Sequence, residues 1–132
     1  MAACPCGRAD ARGRPLAYAA CCGRFVDHFA QTPAPDAEAL MRSRYSAFVF
    51  ERADYLRATW HTSRRPSDIT FDPGVKWLGL EVLQHQVPDT THAEVEFVAR
   101  QKGPGSPAVR LHERSRFVLE AGRWYYVDGD QL

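Results

Sequence analysis

The sequence predicts an α+β domain, with helices packed on a curved antiparallel sheet to form a cone or half-barrel, preceded by a small cysteine-bearing segment. Three observations predict it. All four cysteines fall within the first 22 residues. A stretch near residues 36–61 repeats its apolar side chains at helical spacing, and beyond residue 76 that period drops to two.

The chain has 132 residues, of which 45% are apolar and 25% charged. That is enough for one domain with a hydrophobic core plus a small appendage. A net charge of +1 gives no broad field for nucleic acid, membrane surfaces or acidic partners. Arginine outnumbers lysine heavily, but the arginines are scattered, apart from an early group of Arg8, Arg12, Arg14 and Arg24. No apolar run approaches the roughly 20 residues of a membrane-spanning helix. Met-Ala-Ala-Cys-Pro-Cys-Gly-Arg lacks the charged-then-apolar layout of an export signal. The expectation is a cytosolic protein with reduced thiols.

Residues 1–24 show no helical or strand period, and residues 30–36 form a proline-broken linker. Asp36 at its end suits a helix N-cap. The helix expected over 36–50 gathers Leu40, Met41, Tyr45, Phe48 and Val49 on one face and places Ser43 and Ser46 opposite. A second helix is expected over 53–61, capped by Asp54, with Leu56 and Trp60 paired one turn apart. A loop follows from Thr62 to Gly74. Strands are expected at 77–86, 93–101, 109–120 and 123–128.

Ala121-Gly122 suits a two-residue hairpin turn, which pairs Glu120 with Arg123, Leu119 with Trp124 and Phe117 with Tyr126. One face then carries Ser115, Phe117, Leu119, Trp124 and Tyr126, with Glu113 at its far end. This more apolar face is expected against the helices. The other carries Arg114, Arg116, Val118, Tyr125 and Val127, and the last three offer a surface for a homodimer.

Arg44 departs from this pattern, lying between Leu40 and Phe48 on the face that should be buried. An unpaired buried charge is very costly, so a partner is expected. Glu113, facing the same interior, is the candidate for an ion pair tying helix to sheet.

Cys4-Pro-Cys6-Gly and Cys21-Cys22-Gly supply four soft ligands in two tight pairs, a set suited to a closed tetrahedral zinc site. Such a segment has almost no core, and metal binding would supply most of its folding energy. Disulfides, free thiols and a redox pair are the alternatives. A bridge between adjacent Cys21 and Cys22 would be strained, and neither C-x-C nor C-C is the C-x-x-C spacing of thiol oxidoreductases. His28 could replace one thiolate. His85, His92 and His112 have no metal-ligand spacing.

The two cysteine pairs resemble the SEC-C motif, the zinc-binding tail first described in the SecA preprotein translocation ATPase. Further blocks extend the likeness: Leu40-Met-Arg-Ser-Arg-Tyr-Ser-Ala-Phe48, Ala53-Asp-Tyr-Leu-Arg-Ala-Thr-Trp-His61, Trp77-Leu-Gly-Leu80, Glu113-Arg-Ser-Arg-Phe117 and Trp124-Tyr-Tyr-Val-Asp-Gly129. Together they are similar to the YchJ family of bacterial proteins over nearly the whole chain. The resemblance implies a zinc segment over 1–29 and a cone domain of the nuclear-transport-factor-2-like fold over 30–132. It implies no established activity. Residues 7–20 make the spacing between the cysteine pairs longer than the family pattern. Many relatives carry a second SEC-C copy after the cone, which is not present by Leu132.

Arg44, Tyr45, Trp60, His61, Trp77 and Glu113 are the candidate pocket residues of the cone. His61 is a candidate general base near neutral pH, although a histidine ending a helix more often complements its dipole. Asp54 is a candidate base of similar standing, although a role as helix N-cap already explains it. No phosphate-binding loop, dinucleotide fingerprint, nucleophile elbow or H-E-x-x-H motif occurs.

The leading expectation is a non-enzymatic binding or adaptor protein that docks through its zinc segment. The SEC-C resemblance points to secretion chaperones or the ribosome as partners. The competing expectation is a small-molecule-binding protein or enzyme using a carboxylate or histidine in the cone. Nucleic-acid binding is the weakest reading, because no basic stripe is present.

Overall fold

The computed structural model describes residues 2–132. Its elements are a short 3-10 helix (Tyr18–Ala20), α1 (Gly23–Val26), α2 (Ala37–Val49), α3 (Ala53–Ala58), β1 (Lys76–Asp89), β2 (His92–Lys102), β3 (Val109–Glu120) and β4 (Arg123–Gln131). None of its helices is long and apolar enough to cross a membrane.

The four strands form one antiparallel meander in the order β1-β2-β3-β4. The hairpin register runs as expected, with Phe117 opposite Tyr126, Leu119 opposite Trp124 and Glu120 opposite Arg123. Ala121 and Gly122 both adopt positive φ, as a tight turn of this hand requires. Beyond Phe117 the register slips, so that Arg116 faces Asp128 and Ser115 faces Gly129. Three more irregularities interrupt the pairing of β1 with β2, one of them at Gly79. Gly79 has φ +153, a conformation that side-chain-bearing residues rarely adopt. Bulges bend a strand and increase its twist, and here they curve the sheet around α2.

Helix α2 starts where expected, with the Asp36 carboxylate accepting the Ala39 amide at 2.7 Å. Its burial differs from expectation. Ser43 and Ser46, placed on the solvent side by periodicity, are both fully buried. The N-terminal lobe covers that side, so α2 is sandwiched between lobe and sheet. The hydroxyls are satisfied locally: Ser43 donates to the Leu40 carbonyl at 2.7 Å and shares a 2.7 Å bond with the Tyr55 hydroxyl. The cysteines, Phe25, Val26, Leu40, Leu56, Val95 and Phe117 accordingly belong to one continuous core.

The second helix is shorter than expected and ends at Ala58. Asp54 does not cap it. It lies inside the first turn, and its carboxylate pairs instead with Arg52 at 3.2 Å. Beyond Ala58 the chain runs extended beside β4, with Tyr126 N–H donating to the Thr59 carbonyl at 2.8 Å and His61 N–H to the Tyr126 carbonyl at 2.7 Å. This segment covers an edge that would otherwise be open.

The outer face of the sheet is charged. Glu96 accepts from His112 at 2.8 Å and Arg114 at 3.1 Å, while Arg116 reaches Asp128 at 2.6 Å and Asp130 at 2.7 Å. Val118, Tyr125 and Val127 lie half-buried in this part of the sheet.

Candidate metal centre and cone cavity

The lobe has local reasons to bring its cysteines together. Cys4-Pro5-Cys6-Gly7 is a tight turn closed by Gly7 N–H donating to the Cys4 carbonyl, with Gly7 at φ +78. The long stretch before Cys21 is folded rather than slack. Ala3 bridges to Ala17 and Ala9 to Pro15 in an antiparallel ribbon. Asp10 organises its tip by accepting the Arg12 and Arg14 amides at 2.9 and 3.0 Å. The 3-10 helix then turns Cys21 and Cys22 back toward the first pair. A longer spacing is therefore compatible with closure.

All four Sγ atoms lie within 4.8 Å of one another, and all four residues are buried. Cys6 and Cys21 sulfurs are 3.7 Å apart, and all four thiols are free. A disulfide needs about 2.05 Å. Four thiolates around one ion at about 2.3 Å would sit roughly 3.8 Å apart along each tetrahedral edge. His28 does not join the cluster.

The thiols also compete for protons. Hydrogen bonds from Cys22 and Cys6 pull the Cys4 pKa down, and the contact with Cys4 pushes Cys22 up. Burial first, and then the charges of Cys6 and Cys4, raise Cys21 to about 12. So many buried thiols cannot all ionise unaided, whereas a divalent cation at their centre removes the conflict. The donor set therefore fits a metal.

The lobe is fastened to α2 by polar contacts that the sequence did not signal. Arg42 donates to the Cys6 carbonyl at 3.0 Å and to Glu38 at 2.9 Å. Arg8 reaches the same Glu38 carboxylate at 3.1 Å. Cys4 Sγ lies 3.5 Å from Ser46 Oγ.

On the opposite side of α2, helix and sheet line a partly open cavity of about 200 Å³. Five candidate residues, Arg44, Tyr45, Trp60, Trp77 and Glu113, line it together. His61 does not. In the extended segment beside β4, Trp60 points inward and His61 outward, where it contacts Ser63 at 2.7 Å and Glu120 at 3.3 Å. The helix expected to end at His61 stops too early to turn it toward the interior. Asp54 is likewise a surface residue.

Arg44 and Glu113 share the cavity without forming the expected ion pair. Arg44 Nη1 donates to the Leu56 carbonyl at 2.8 Å and to Thr59 Oγ1 at 2.7 Å. Its guanidinium carbon lies 4.5 Å from the Tyr126 ring centroid and 5.1 Å from that of Trp60. Glu113 instead accepts from Ser115 at 2.5 Å, Gln131 at 2.8 Å and Tyr126 at 3.4 Å. Facing placed both groups in one interior, but the nearer neutral oxygens and rings took the arginine. Burial lowers the Arg44 pKa to about 10, which leaves it charged at neutral pH. Burial, followed by the charge of Glu113, raises Tyr126 to about 12.

Ser115, Phe117 and Tyr126 were legible as inward-facing. Thr59 and Gln131 were not, because Thr59 fell inside the helix expected over 53–61, which stops at Ala58, and Gln131 lies past the expected end of β4.

Comparison with known proteins agrees with this arrangement. The family model described as "YchJ, middle NTF2-like domain" matches residues 36–129. The chain belongs to the YchJ family. Its YchJ-family relatives include a UPF0225 protein of Polaromonas sp. (strain JS666), 79% identical over 98% of this chain and 93% of the relative. Another, from Methylibium petroleiphilum, is 58% identical over 96% of this chain and 87% of its own. Two solved structures share the whole YchJ-family architecture described above. A SEC-C motif containing protein from Rhodopseudomonas palustris superposes with a TM-score of 0.81 at 33% identity, covering 99% of both chains. One from Psychrobacter arcticus gives 0.79 at 31% identity, covering 97% of this chain and 81% of the other.

Proposed function

We propose that this chain is a zinc-binding, non-enzymatic protein whose N-terminal lobe docks onto a protein partner. The observation that carries the reading is the convergence of four buried thiols from two separate turns. Zinc suits it because thiolates are soft donors, and four of them leave no open position for water or substrate. The ion would supply closure of the lobe and no reaction. A cytosolic location suits the same reading, since the ligands must stay reduced.

Docking is supported by the surface that the lobe presents. The ribbon tip carries exposed Arg12 and Arg14, and Arg24 on α1 is exposed as well. His61 and Asp54 face outward, and the carboxylate that does line the cavity, Glu113, is engaged by Ser115, Tyr126 and Gln131, which supports a non-enzymatic reading. Elemental analysis of reduced protein purified without chelator is expected to return one zinc per chain. Affinity capture from a bacterial lysate with wild type and a Cys21→Ser/Cys22→Ser double variant tests docking. Loss of a partner in the variant is expected, and an identical partner set would sink the idea.

A further inference from the structure

The cavity is separate from the thiol cluster, and it contains a charge that uses only two of its five N–H donors. Arg44 is 6% exposed and lines the cavity. Only Nη1 donates, to Leu56 and Thr59. Among the described residues, Nε and Nη2 have no acceptor and no carboxylate lies in ion-pair range. Neither nitrogen is sealed off, since His85 Nε2 is the one described side-chain polar atom both sealed and unpartnered. Arg44 is one of the residues lining the cavity, so this unpartnered edge is available to a group bound there.

That edge has a chemical preference. Nε and Nη2 present two parallel N–H groups, the fork that matches a carboxylate. The rings of Trp60 and Tyr126 hold the guanidinium plane in place, so little side-chain entropy remains to be lost on binding. Most of the remaining wall is apolar, formed by Met41, Phe48, Trp77, Phe97, Leu111 and Phe117. A dry 150 Å³ cavity is known to hold benzene, and about 200 Å³ leaves room for a ring plus a carboxylate.

Glu113 narrows the choice further. Ser115 and Tyr126 donate to its Oε2 and Gln131 to its Oε1, so it needs no ligand group. Its charge on the same cavity disfavours dicarboxylates and phosphate esters, which bring more than one negative charge.

We propose that the cone cavity is a binding site for a small monocarboxylic acid with a planar apolar body, held through its carboxylate by the free edge of Arg44. The site involves none of the cysteines, so it stands or falls independently of the docking lobe. Binding needs no covalent step.

The test is ¹H–¹⁵N spectroscopy of the full-length, zinc-replete protein titrated with benzoate and indole-3-carboxylate. Benzamide and benzylamine serve as matched neutral and cationic probes. At least one carboxylate is expected to shift the Arg44 Nε–Hε resonance and the amides of Phe117 and Tyr126 saturably. Benzamide should bind roughly tenfold or more weakly, the usual value of a charge-assisted hydrogen bond, and benzylamine should not bind. Arg44→Lys keeps the charge but loses the fork and should weaken carboxylate binding by about tenfold. Glu113→Gln should tighten it by removing a repulsion. The inference is overturned if neither carboxylate shifts these resonances, if benzamide matches its acid, or if Glu113→Gln weakens binding. The first two outcomes need only wild-type protein, so misfolding of a variant cannot obscure them.

Discussion

The N-terminal lobe and the cone cavity lie on opposite sides of helix α2, and they use buried chemistry in opposite ways. In the lobe, four like groups from neighbouring turns create a shared need that one cation can meet. In the cavity, one cation from α2 meets aromatic faces and neutral oxygens, while the nearest carboxylate is engaged elsewhere. A closed ligand shell serves structure because nothing further can enter it. A half-satisfied guanidinium leaves a directional vacancy, which is the usual form of a binding site.

Removing the metal should separate the two regions most sharply. Chelation under reducing conditions is expected to cost several kcal/mol, since structural zinc can contribute on the order of 10 kcal/mol to folding. Hydrogen exchange should then show residues 2–29 losing protection while β2 and β3 keep theirs. Uniform loss across both would mean that lobe and cone unfold as one unit.

Truncating the cavity wall should come next. Phe117→Ala enlarges the cavity at a fully buried position and is expected to cost about 3–5 kcal/mol in urea unfolding. A cost below about 1 kcal/mol would mean that the cavity wall collapses readily. It should leave zinc content unchanged.

Ser43→Ala probes the helix between the regions. It strands the Tyr55 hydroxyl, whose pKa burial already raises to about 12. The expected loss is about 1–3 kcal/mol, and a neutral result would show that the hydroxyl finds another acceptor.

The smallest effect should come from Glu38, which joins lobe to helix. Burial opposes its ionisation, but the Arg42 hydrogen bond and the charges of Arg42 and Arg8 outweigh it, so its pKa falls below the ordinary 4.5. A lowered carboxylate stabilises the fold above its unfolded pKa and loses that contribution as pH falls through the folded value. Wild type should exceed Glu38→Gln by up to about 1 kcal/mol at pH 7. The difference should vanish on acidification below the carboxylate range, and a gap that persists there would refute the electrostatic link.

The legible parts of the molecule were those with short-range causes. The Asp36 cap, the Ala121-Gly122 turn and the register of β3 on β4 each follow from a few adjacent residues. Ser43 and Ser46 were misplaced because helical periodicity assumes one buried face, and a second layer covered the other. His61 was misplaced because Thr59 exchanges its carbonyl with Tyr126, a partner 67 residues away, rather than extending the helix.

By itself the sequence determined the clustering of four thiols, the helix–sheet order and the inward placement of Arg44 and Glu113, all consequences of residue type and local spacing. Only the tertiary structure decided which acceptor the arginine takes and which of its edges stays free. Hydrogen bonds form over distances of about 3 Å, and alternation along a strand cannot place atoms from separate elements that finely.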